Sequence, residues 1–170
     1  MTEGAEGREL LDELGLADSS LADSSLAAEE PFRSFLAGLG PGVVPEMERY
    51  GAELAARHNG LADDALCTLA LAVLDGCGPP EGRSGLRADL ASRAAAGSGQ
   101  ESGEAAERRA AVWRALGDLL AREEGAPGDG PEPFSRLARA MADGRRTPES
   151  ERFELLRALH RAALARSQQT

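Results

Sequence analysis

The chain has 170 residues, 42% hydrophobic but only 4% aromatic, and a formal net charge of −10. That length fits one domain with a continuous core, which must be built mainly from Leu and Ala. It has no run of 18 or more apolar residues, no basic start followed by an apolar stretch and no dominant basic face. These features argue against membrane insertion, export and general nucleic-acid binding.

All 19 basic residues are Arg, and Ile is absent. Strand-forming residues are therefore scarce, while Ala and Leu favour helix, so an all-α fold is expected. The same usage marks a very GC-rich, actinobacteria-like coding sequence. Against that background, the segment from Tyr50 to Cys77 holds the only Tyr, the only Asn, both Cys and one of two His. It is the natural place to look for a structural centre or a site.

Residues 1–30 carry nine acidic residues against Arg8 alone and read as an acidic, low-complexity arm preceding a helical domain over 31–170. Within the arm, Glu6–Leu14 suits a short helix stopped by Gly15. Leu16-Ala-Asp-Ser-Ser20 is repeated at once as Leu21-Ala-Asp-Ser-Ser25, with leucines at a spacing that fits neither helix nor strand. Phe32, Phe35, Leu36 and Leu39 suggest another short helix before Gly40-Pro41-Gly42.

Pro45 is placed for the first turn of a helix running to about His58, with Glu46 and Glu48 near its positive end. Asn59-Gly60 supplies a left-handed stop, Leu61 the apolar residue beyond it, and Asp63 or Asp64 the start of the next helix. The result is an αα-hairpin. Its second arm, Ala65–Leu74, has Thr68 as its single polar residue, a pattern expected of a helix buried on every side.

Ser84 is a candidate cap for a helix over Leu86–Ala96, followed by a glycine-rich loop from Gly97 to Gly103. Glu104–Arg122 is the longest amphipathic stretch, broken over Gly125–Gly130. Phe134, Leu137 and Met141 line a helix expected to stop at Gly144. Thr147-Pro148-Glu149 then starts a last helix reaching about Arg166. These elements predict a single-domain bundle of about five main helices around the buried hairpin.

The candidate chemistry centres on His58, with Asp63 or Asp64 as orienting carboxylate and Tyr50 about two turns upstream on the same helix. The same residues also read as helix punctuation, with His at a helix C-terminus and Asp capping the next helix. His160 adjoins the apolar stripe of the last helix. Neither histidine has the His-x3-His or Glu-x-x-His spacing that places two metal ligands on one face, so no metal and no cofactor are expected. Cys67 reads as a small core residue and Cys77 as an exposed thiol. On one helix they would sit about 15 Å apart along the axis, beyond disulfide reach. Asp143-Gly-Arg-Arg-Thr-Pro148 sets Arg145 and Arg146 beside the amino end of the last helix, with Arg157 and Arg161 following. They are candidates for anion binding or for internal ion pairs.

No catalytic or nucleotide-binding motif is present. The expected function is that of a cytoplasmic, non-catalytic accessory or regulatory protein binding a partner helix or an apolar small molecule, with a homodimer among the possible assemblies. The alternative is a small cofactor-free enzyme, of cyclase, isomerase or lyase type, with an acid/base site around His58.

Overall fold

The computed structural model describes residues 44–77, 82–99, 103–123 and 133–168. Six helices occupy them: α1 Val44–His58, α2 Ala65–Leu74, α3 Arg83–Gly99, α4 Glu104–Glu123, α5 Pro133–Met141 and α6 Pro148–Gln168. No strand occurs among the described residues, so the all-α expectation holds for them. The expected helices at Glu6–Leu14 and Phe32–Leu39, the tandem repeat and the acidic 1–30 arm lie outside the described residues.

Most boundaries follow local signals. At the end of α1, Gly60 adopts a φ of 71°. Leu61 N–H donates to Ala56 O at 2.8 Å and Gly60 N–H to Arg57 O at 3.2 Å. This paired Schellman pattern satisfies the last carbonyls, and Leu61 is buried beside it. Gly76 and Cys77 close α2 in the same way, donating to Val73 O and Ala72 O. Asp64 opens α2, its Oδ1 accepting from Leu66 N–H at 2.9 Å and Cys67 N–H at 3.4 Å. Two boundaries differ from expectation. Helix α3 continues through Gly97–Gly99, beyond the expected end at Ala96. Helix α5 stops at Met141, three residues early, and Gly144 turns the chain at a φ of 77°.

The chain divides into two compact units. One comprises Met1–Met47 and Glu154–Thr170; its described residues include buried Met47, Leu155, Leu156, Leu159 and His160.

The other is Glu48–Phe153. Within it α4 packs against α2, α3 and α5. Its many alanines keep it thin enough for neighbours on several sides: Ala106, Ala110, Ala111, Ala115 and Ala121 are buried along with Val112, Trp113, Leu116, Leu119 and Leu120. Phe134 of α5 and Phe153 of α6 stack with ring centroids 5.0 Å apart at 18°. Gly51 lies against both rings: a Cβ there would meet each at 3.2 Å.

The expectation that α2 is enclosed on all sides is corrected. Only Cys67, Ala70 and Val73 are buried in it, and Leu69 is 48% exposed. Its packing partners α3 and α4 cover one side of the helix. An apolar sequence does not by itself supply neighbours for the opposite side.

Candidate functional site

Three places in the Glu48–Phe153 unit concentrate side chains of functional interest. The first surrounds His58. Its side chain is 3% exposed, and its Nε2 lies 2.8 Å from Asp143 Oδ2, out of line for a hydrogen bond. Thr147 Oγ1 lies 3.2 Å from Nδ1. Asp143 in turn accepts from Arg145 N–H at 2.9 Å. That backbone bond, with the His58 and Arg108 charges, holds the Asp143 carboxyl below its ordinary value despite partial burial. Thr147 also caps α6, accepting from Ser150 N–H at 3.2 Å while its own N–H donates to Ser150 Oγ at 3.0 Å.

A carboxylate–imidazole–hydroxyl chain can relay a proton. Here, however, Asp143 and Thr147 face the two ring nitrogens of an enclosed imidazole, so neither nitrogen is presented to a substrate. The arrangement ties the end of α1 to the loop before α6.

The other residues considered with His58 are placed apart from it in role. Asp64 caps α2, and its Oδ2 lies 3.1 Å from Arg93 Nη1. Burial raises its carboxyl pKa, but the Cys67 and Leu66 N–H groups and Arg93 outweigh that and hold it below the ordinary value. Asp63 is exposed. Tyr50 is buried on α1, about 12 Å before His58 along the helix axis. The carboxylate beside His58 is therefore Asp143. The sequence singled out its segment for the arginines at 145 and 146, not for the aspartate.

Those arginines are both exposed. Arg157 lies 3.8 Å from Glu154 on the same helix, and Arg161 is exposed. His160 is buried. Both cysteines are free thiols: Cys67 is buried and Cys77 exposed. Burial, helped by the Asp64 and Glu53 charges, pushes the Cys67 thiol up to about 11, which suppresses its thiolate and its reactivity.

The second place is the outer side of α2. Ala65, Thr68 and Leu69 are exposed and Ala72 is half-buried. Their i, i+3, i+4, i+7 spacing puts them on one side of the helix. Helix α2 contains no charged residue.

The third is an open groove of about 560 Å³ formed by α3, α4 and α5. Arg87, Arg114 and Arg136 line it together with one carboxylate, Asp118, and with Trp113 and Gly117. Arg136 donates to Asp118, whereas exposed Arg114 forms no ion pair with another described residue. Burial pushes the Asp118 carboxyl above its ordinary value, more than Arg136 and Arg122 lower it. Trp113 also lies under the Arg93 guanidinium, 5.6 Å from its ring centroid. No local spacing announces this groove, because its cations come from three helices.

Among the described residues no helix is long and apolar enough to cross a membrane. Comparison with protein-family models, curated proteins and solved structures returns no match, so the functional reading rests on the geometry of this chain.

Proposed function

We propose that the protein is a cytoplasmic, non-catalytic accessory or regulatory protein with a helical-bundle fold, and that α2 binds an amphipathic helix of a partner protein. The observation that carries this reading is Leu69, the exposed large hydrophobic residue of the described structure, on a helix without charge. Around it Ala65, Thr68 and Ala72 form a low ridge. Small residues allow a second helix to approach closely, with Leu69 as the knob that enters its groove. A convex helix surface suits another helix better than an apolar small molecule, which needs concavity. The competing acid/base reading would rest on His58 with Asp143, and the enclosure of the ring weighs against it.

Leu69→Asp should keep the helical content and stay within about 1 kcal/mol of the parent's stability, since the site is half exposed. Ala70→Asp, one residue on and fully buried, should prevent soluble folding because the carboxylate has no partner there. A photo-crosslinking residue at position 69, used in the native cell, should capture one discrete adduct that is absent when the probe replaces exposed Ser92 on α3. An adduct with a second copy of the chain would identify a homodimer. Equal capture at both positions, or unfolding by Leu69→Asp, would refute the docking face.

A further inference from the structure

The groove of α3, α4 and α5 is separate in chemistry from the α2 face. It brings three guanidinium groups, Arg87, Arg114 and Arg136, to one concave surface against a single carboxylate. Guanidinium groups gathered on a concave surface raise the local concentration of anions. The three arginines come from α3, α4 and α5 respectively, so they are not a charge run along one solvated helix.

Part of the lining is apolar: Ala88 and Ala91 of α3 and Ala121 of α4 line the groove together with Trp113. The volume of about 560 Å³ is in the range of small-molecule sites, about 300–1,000 Å³. Gly117 adds an independent indication. It sits inside the twenty-residue α4, where glycine costs about 1 kcal/mol relative to alanine. A Cβ there would meet nothing within 4 Å. Packing among the described residues therefore gives no reason for glycine at this position, which lines the groove.

We propose that this groove binds an amphipathic organic anion. Its charged head is held by Arg114 and Arg136, with Arg87 adding positive charge, and its apolar body lies on the alanines over Gly117 and beside Trp113. Guanidinium forks pair bidentately with phosphate or carboxylate, and both heads share this chemistry. The head competes with Asp118 for Arg136, while among the described residues no carboxylate competes for Arg114.

Trp113 is the only tryptophan of the chain and lines the groove, so its fluorescence reports occupancy there. The test titrates the full-length protein with 8-anilinonaphthalene-1-sulfonate and, in parallel, with its uncharged analogue N-phenyl-1-naphthylamine. We expect saturable quenching of Trp113 by the sulfonate and binding at least about tenfold weaker for the neutral compound. Arg114→Gln should weaken the sulfonate about fivefold or more, consistent with a charge-assisted contact. Gly117→Leu leaves every arginine in place and adds bulk to the lining; it should weaken binding about tenfold or more at unchanged helicity.

Phenyl phosphate and phenylacetate then serve as competitors. Stronger displacement by one of them identifies the head group. The proposal is overturned if the neutral analogue binds as tightly as the sulfonate, or if a folded Gly117→Leu protein binds normally. It is also overturned if quenching does not saturate below about 1 mM or if neither competitor displaces the probe at about 10 mM.

Discussion

Gly51 and Gly117 make opposite demands on the same substitution. Each lies inside a long helix, where alanine is favoured over glycine by about 1 kcal/mol because the unfolded chain has less freedom to lose. At Gly117 the new methyl meets open space, and Gly117→Ala should realise that gain. At Gly51 the methyl would stand 3.2 Å from Phe134 and 3.2 Å from Phe153, two buried rings stacked on each other. Neither ring can retreat without disturbing the other, and Leu137 Cδ1 at 3.7 Å closes a third side. Overpacking of this kind costs about 1–3 kcal/mol. After the helix gain is subtracted, Gly51→Ala should lose about 1 kcal/mol, leaving the two variants about 2 kcal/mol apart. For a chain of this size that is a Tm separation of about 4–8 °C by circular dichroism, with Gly51→Ala the lower. If Gly51→Ala stabilises as much as Gly117→Ala, the close approach of α1 to the aromatic pair is wrong.

Two further outcomes follow from the charged groups. Asp64 and Asp143 both have carboxyls held below their ordinary values. Such a group adds stability that is complete above its unfolded pKa and lost as pH falls through the folded one, so urea midpoints should drop below about pH 4. Asp64→Asn with Asp143→Asn should flatten that acid limb, and an unchanged limb would dismiss both carboxylates as contributors. Arg122 Nη1 lies 2.7 Å from each carboxylate oxygen of buried Glu48. Because Arg122 is itself 43% exposed, Arg122→Met should cost about 1–3 kcal/mol rather than the full value of an enclosed pair. Adding Glu48→Gln should recover part of that loss, and a single variant as stable as the parent would exclude a role for the pair.

The hairpin was legible because its instructions are local. Asn59, Gly60 and Leu61 are consecutive, and the hydrogen bonds that stop α1 arise within a few residues. Asp64 likewise caps the helix it immediately precedes. The surroundings of His58 were not legible: Thr147 is 89 positions away, and no local rule selects Asp143 over the nearer Asp63 and Asp64. Helix α2 shows a different limit. Its composition is that of a buried helix, but burial depends on how many neighbours arrive, and the alanine-rich α4 gathers more of them. The arginine groove is invisible for a related reason, since Arg87, Arg114 and Arg136 become neighbours only through the packing of three helices.

The contrast between the two thiols gives the protein a built-in clock. Cys77 is exposed and should react with a maleimide as fast as the reagent arrives. Cys67, enclosed and with its thiol pushed up to about 11, should react only when α2 lifts away from its neighbours. The lag between the first and second modification, followed by mass, therefore times how often this helix opens in the native protein.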